Sequence, residues 1–467
     1  MMGRQEEPGQ LFYRFNLERH VPGDRVLRQI DAVLDLSAIR LTLAPYYAAT
    51  GRPSVDPALM IRMLLVGYAF AIRSERRLCD EVHLNLGYRW FCRLGLEGAV
   101  PDHSTFSKNR HGRFRASDLF RRLFEQVVRQ CMRAGLVGGE GFAIDASVIE
   151  ADASRNRKVD GKRTAWPDDK TVPRPVREYL AALDEAMTAE AAAETAPPPD
   201  DMPPGNPPSA PKSTSLTDPA AAWTNKGQMK AVFAYGDNYL IDTRTAIVID
   251  VEATPARWSA EVAATKTMLQ RAQESFGLKP QRLCADAAYG SGLMIGWLMR
   301  RAITPHVPIL DHEHQTKGLF TRAAFRFEPE QNVYICPGGK RLTHSGMVRG
   351  DGTMQYIAST KDCRACSLKS RCTTGAKRIV TRNLFEAERD HVRAMKGTEA
   401  FERSARERKK VEMLFAHLKR NLGLRRLRLR GLSGASDEFL LAATVQNLKK
   451  LVRFLAHGPH AAAACTV

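Results

Sequence analysis

Long apolar runs are missing from this sequence. None approaches the ~20 unbroken apolar residues that a membrane-crossing helix needs, so no membrane partner is expected. A secretory leader is not evident either, because MMGRQEEPGQ carries acids where a signal peptide has a basic and then an apolar run. Cysteine is sparse and odd in number at nine, which in a chain read as intracellular argues against a disulfide framework. Acids are outnumbered: 51 Asp and Glu face 70 Lys and Arg, a formal charge of +19. Such an excess points to a polyanionic partner, since each phosphate neutralised releases condensed counterions. What is present is enough for a real core, with 44% apolar residues in 467, and enough length for two or three domains.

Residues 1–135 read as an all-helical N-terminal domain. In VDPALMIRMLLVGYAFAIR (55–73), Leu59, Met60, Met63, Leu64 and Tyr68 form a stripe at helical spacing. Ser74 sits where an N-cap belongs, ahead of a helix with Leu78, Val82 and Leu86. PDHSTFSKNRHGRFR (101–115) opens on Pro and capping residues and runs on as a basic helix. Such a unit suits either a helix-turn-helix DNA reader or a helical lid.

An α/β pattern follows over 136–310. GFAIDASVIEA (141–151) has the apolar, β-branched run of a buried strand, and 174–194 reads as a helix. TAPPPDDMPPGNPPSAPKS (195–213), with eight prolines, predicts an extended linker. Residues 229–254 alternate as two strands around a polar turn, 257–277 read as a helix, and RLCADAAYG leads a strand into Asp286. A helix over 291–302 and a strand over 303–310 complete a mixed α/β sheet with helices on its faces. Residues 311–395 form an excursion holding four cysteines. Residues 396–457 return to helix, first from Thr398 to Asn421 with Gly423 as the stop. A last helix over 436–457 has an apolar stripe and a basic opposite face.

Two acids share one context, an apolar strand ending on Asp: FAI before Asp145 and RLCA before Asp286. Acids there lie at the carboxyl end of a sheet, where open α/β sheets bind ligands; singly, each would as readily cap the next turn. Helix phase then puts Arg408, Glu412 and Lys419 within an arc of about 40°, beside the apolar face of Val411, Leu414, Phe415, Leu418 and Leu422. Carboxylates holding two Mg²⁺ (or Mn²⁺) ions about 3.5–4 Å apart are what phosphoryl transfer on DNA requires. Arg408 and Lys419 would hold phosphates beside the scissile bond.

These residues resemble bacterial insertion-sequence transposases of the DDE type, with an RNase H-like core. More narrowly, they resemble the group whose last acid lies in a Tyr-x2-Arg-x3-Glu-x6-Lys signature. Here that reads Ala405, Arg408, Glu412 and Lys419, with Ala in place of Tyr. The second-Asp motif, Ala-Asp-x-x-Tyr-x-Ser, is met by Ala285, Asp286, Tyr289 and Ser291, and the first acid by Asp145 in Ile-Asp-Ala-Ser. PDHSTFSKNR (101–110) and SLTDPAAAWTNKG (215–227) add to the likeness, which runs from about residue 12 to 455. The fold it implies is an RNase H-like mixed sheet with flanking helices, preceded by the helical domain and interrupted by the Cys-rich insert. It implies Asp145, Asp286 and Glu412 as catalytic metal ligands. It also implies binding of terminal inverted repeats, strand cleavage, and joining of 3′ ends to target DNA. Tyr289 is then either a stacking partner for a flipped or terminal base or a core residue.

Cys336, Cys363, Cys366 and Cys372, with a C-x2-C pair among them, suit a structural tetrahedral Zn²⁺ site, or else remain reduced thiols. Residues 401–430 hold 11 Lys/Arg against 3 Glu, and Arg425, Arg426 and Arg428 directly follow the helix of Glu412. A DNA-tracking groove is expected there. Lys108 and Arg110 lead a second basic cluster that could recognise element ends, while His103, His306 and His417 read as structural. The expected setting is the cytoplasm of a bacterium, on the nucleoid, with a homodimer pairing two DNA ends. The competing functions are a domesticated metal-dependent DNA nuclease and a non-catalytic DNA-binding descendant of a transposase.

Overall fold

The computed structural model describes residues 14–48, 50, 54–160, 172–193, 211–225, 230–310 and 318–457, apart from the side chains of 186–193 and 457. The Pro-rich segment expected over 195–213 lies outside the described residues up to 210; its last residue starts a short strand, Ser213–Ser215, paired with Lys158–Asp160. The chain divides into two compact units, each taken by itself.

The first unit comprises the described parts of Met1–Leu136, Ala416–Arg428 and Ser436–Val467. Its helix α1 (Pro57–Ala69) begins on Asp56, whose side chain accepts the Ala58 N–H, with Pro at the first turn. The sequence suggests a single buried stripe, but residues 60–69 are buried all round, as its uniformly apolar character demands. Ser74 caps α2 (Glu75–Leu84) as expected. That helix stops before Leu86, because Asn85 caps a separate helix, Leu86–Phe91. Past α2, α3 (Leu119–Arg133) buries Leu119, Phe120, Leu123, Phe124, Val127, Val128 and Cys131 on one strongly amphipathic face.

The second unit comprises Val137–Phe415 and Leu429–Ala435. Its sheet contains β1 (Gly141–Glu150), β2 (Ala222–Thr224), β3 (Val232–Asp242), β4 (Val248–Pro255), β5 (Arg282–Cys284) and β6 (Thr304–His306). The order is β2–β3–β1–β5–β6, with β4 also paired to β3. β1, β3 and β4 form an antiparallel meander, while β5 and β6 run parallel to β1. This is the expected mixed sheet, and β3 is buried at every position after its first. Its buried run includes the polar Asp237, Asn238 and Asp242. α4 (Trp258–Phe276) packs against β4 and β3, and α5 (Gly292–Arg300) joins β5 to β6.

The insert is a second sheet of β7 (Arg326–Glu328), β8 (Val333–Ile335), β9 (Arg341–Val348), β10 (Thr353–Ala358) and β11 (Ile379–Asn383), in antiparallel order. Its small core is Phe325, Tyr334, Leu342, Tyr356, Ala358 and Val380, against which Cys336, Cys363 and Cys372 pack. The insert closes on α5 at two glycines. A Cβ at Gly296 would overlap the Phe385 ring, and one at Gly292 the Asn383 amide. α6 (Glu386–Met395) follows, its buried Glu386 held by Arg322, Arg389 and Arg393.

α7 (Glu399–Arg420) and α8 (Leu432–His457) complete the described chain. α7 ends as expected near Gly423, which takes the left-handed conformation (φ +66°) that glycine tolerates best. α8 begins at Leu432 rather than 436. Its middle, Phe439–Leu448, is buried throughout, so the expected basic face is confined to its last turns. The acids at its start are interior too: Arg115 bonds Asp437 at 3.0 Å and Arg73 pairs with Glu438.

Candidate active site

Sheet register sets the site. β1 and β5 pair in parallel with Ala143 opposite Cys284, and Asp145 and Asp286 each follow by two residues. Asp286 keeps an extended backbone (φ −78°, ψ 175°), and both Asp145 and Asp286 lie close enough to the Tyr289 phenol to act on it. β5 ends at Cys284 while β1 continues to Glu150, so the chain leaves the sheet before Asp286. Asp286 Oδ1 accepts the Ala288 N–H at 2.9 Å, capping a single 3-10 turn. Asp145 Oδ1 accepts the N–H of Ala146 at 2.8 Å.

Glu412 arrives from α7, which is seated on that face by residues the sequence placed on its apolar side. Val411, Leu414 and Phe415 are buried, and Phe415 lies 4.8 Å from the ring of Tyr239, the β3 residue opposite Asp145. Lys410 Nζ donates to the carbonyls of Thr243 (2.6 Å) and Arg244 (3.0 Å), fixing the helix to the turn after β3. Ser404 meets His306 Nδ1 at 2.6 Å, so His306 has the structural part expected of it.

Arg408 links the acids. Its Nη1 is 3.5 Å from Asp145 Oδ2 and its Nη2 is 3.0 Å from Glu412 Oε1. The side chain of Asp145 is 19% exposed, that of Arg408 23%, and that of Glu412 53%. Carboxylate oxygens are the donors a hard divalent cation prefers. Even so, among the described residues no group of three or more His, Cys, Asp or Glu side chains is arranged to hold a metal ion. A guanidinium stands between Asp145 and Glu412.

The remaining expected residues fall in several places. Lys419 lies seven residues beyond Glu412 on α7, in the first unit. Arg425, Arg426 and Arg428 are exposed and alternate with buried Leu424, Leu427 and Leu429. Lys108 is exposed. Arg110 is not available in the same way: it is 4% exposed, with its guanidinium on the Tyr68 hydroxyl (2.9 Å) and Glu75 (3.3 Å). Tyr289 is also buried, at 2% exposed. Burial, and the nearby Asp145, Glu261 and Asp286, push its phenol well above the usual range.

The four cysteine thiols gather at one corner of the insert. A Cβ on Gly338 would lie 3.4 Å from Cys366 Sγ and 3.6 Å from Cys336 Sγ. Burial raises the Cys372 thiol, with Cys363, Cys336 and Cys366 adding to the shift. They too fall short of a metal-holding arrangement among the described residues.

Sequence reasoning missed Trp258, an exposed indole whose N–H donates to Ala288 O at 2.8 Å and so abuts the Asp286 turn. It also missed Lys410 and Tyr239. No motif marks them; only the β1–β3 register and the seating of α7 bring them near the acids.

No described helix is long and apolar enough to cross a membrane. Residues 15–112 match the family described as a transposase domain (DUF772), and residues 335–452 match a transposase DDE domain. The DDE match carries with it an RNase H-like fold, in keeping with the mixed sheet, and such enzymes generally use divalent metals. The two matches together support a DDE-type transposase.

Proposed function

We propose that this chain is the transposase of an insertion sequence, which binds terminal inverted repeats, cleaves at the element's ends and joins the freed 3′ ends to target DNA. The observation that carries this reading is that Asp145 and Asp286 each stand two residues past a paired position of two parallel strands, with Glu412 tied to Asp145 through Arg408. Acids far apart in sequence have no structural need to lie together at the carboxyl end of two central strands. Two-metal phosphoryl transfer does need them there.

Asp145, Asp286 and Glu412 would hold Mg²⁺ or Mn²⁺, which when bound would activate the attacking oxygen and stabilise the leaving one. Around them Phe415 and Lys410 seat the helix, and the Ala288 N–H orients Asp286. Arg425, Arg426, Lys419 and Lys108 supply cations for the DNA backbone, and a homodimer would pair two ends. The four cysteines would hold a structural Zn²⁺ that braces the insert, a reading that rests on their spacing in the sequence.

Purified protein with Mg²⁺ should nick and join a labelled duplex carrying the sequence that brackets its own gene. Asp145→Ala, Asp286→Ala and Glu412→Gln are each expected to lower cleavage by about 10³-fold or more, the scale of losing a key electrostatic group. Full cleavage by all three variants would remove the active-site assignment.

A further inference from the structure

Resting on the active-site reading above, we propose that Arg408 is a latch that makes divalent-metal binding depend on DNA. In the free protein one guanidinium spans Asp145 and Glu412, at 3.5 Å and 3.0 Å. This agrees with the finding that these carboxylates are not arranged to hold a cation together. A divalent ion between them must push against that fixed positive charge and take its partners.

The geometry makes the latch releasable. The Glu412 arm is half exposed and spans one helical turn, the kind of ion pair that solvent screens to little net strength. The Asp145 arm is longer and less exposed, held by charge rather than by a short hydrogen bond. A DNA phosphate offers the same planar fork two anionic oxygens in bidentate geometry. Backbone passing along α7 would draw Arg408 outward, take the guanidinium off both carboxylates, and add its own negative charge to the site. Metal is therefore bound weakly until the substrate is in place, which restrains hydrolysis by unengaged enzyme.

The test is Mn²⁺ binding by the full chain without DNA, read as the loss of the free-Mn²⁺ electron spin resonance signal. Arg408→Ala should bind Mn²⁺ at least 10-fold more tightly than the unaltered chain. Arg408→Lys, which keeps the charge but cannot span both acids, should fall between. Lys409→Ala removes a neighbouring exposed cation and should leave the affinity unchanged, and thermal midpoints establish that each variant is folded. Equal affinity in the unaltered chain, Arg408→Ala and Arg408→Lys overturns the latch. A Lys409→Ala gain matching that of Arg408→Ala overturns it as well, by reducing the effect to net charge. Adding Asp286→Asn to Arg408→Ala separates the two ideas. If Mn²⁺ binding is then undiminished, the carboxylate site itself is wrong; if it falls while Arg408→Ala alone gains nothing, only the latch is.

Discussion

Asp218 is a carboxyl group sealed from water, its partners the Tyr235 hydroxyl and the Gly431 N–H, the latter at 3.1 Å. Burial raises it from its ordinary 3.8 to about 6, against the pull of those hydrogen bonds and of Arg430. The folded state thus binds its proton more tightly than the unfolded chain does. Stability on this account is greatest below the ordinary value and is lost as pH rises through about 6. Asp218→Asn mimics the protonated acid, with its oxygen for the Gly431 N–H and its NH2 turned to the Tyr235 oxygen. It should therefore be more stable than the unaltered chain by about 1–3 kcal/mol at pH 8 and nearly equal at pH 4. Thermal unfolding at the two values checks this, and a loss of stability at pH 8 would contradict it. Arg110 shows the converse problem: in sequence it belongs to a basic cluster, but in the fold it is an interior residue paired with Glu75. Nothing local in SKNRHGRFR separates the buried guanidinium from exposed Lys108.

Among the elements, α7 gathers most of the chemistry. Its apolar face was legible because buried positions recur at i, i+3 and i+4, but its seat was not. Phe415 on Tyr239 and Lys410 on two carbonyls decide which way Glu412 faces. Phe415→Ala should cost roughly 3–5 kcal/mol, the range for a buried aromatic. It should also lower cleavage beyond the loss of folded protein, because Glu412 loses its bearing one turn away. Denaturant titration alongside single-turnover cleavage per folded molecule separates these effects, and cleavage that merely tracks folded fraction would show the seat to be unimportant. β5 was placed correctly by its apolar run, although the strand stops at Cys284, two residues before the acid. α8 was expected to show a basic face, yet most of it is interior. A helix with apolar residues on nearly every side keeps few positions for charge.

For the whole molecule, the +19 charge is a long-range property independent of the site's geometry. Exposed Arg425 and Arg426 follow α7 on a segment whose leucines are buried. Replacing both by Ala should weaken binding about equally on any DNA sequence. The slope of log K against log salt should flatten by about 2, close to one for each phosphate no longer neutralised. Fluorescence anisotropy over a series of salt concentrations reads both quantities, and an unchanged slope would take these arginines out of the DNA path. The compact units also divide the chain differently from its sequence blocks, since residues 416–428 and 436–457 belong with the N-terminal helices. Periodicity finds a helix but says nothing of which distant partner covers it.

The α/β pattern of 141–310, the polyanionic partner, and the candidacy of Asp145, Asp286 and Glu412 came from the sequence alone. Each of these rests on local pattern: alternation, helical phase, capping residues and the spacing of motifs. Pairing decided the rest. Register set Ala143 opposite Cys284, two residues before each Asp, burial took Arg110 and Tyr289 inside, and a guanidinium came to lie between Asp145 and Glu412. The acids themselves stand more than 100 positions apart in the chain. Such relations depend on how strands pair and helices seat, which no window of sequence contains.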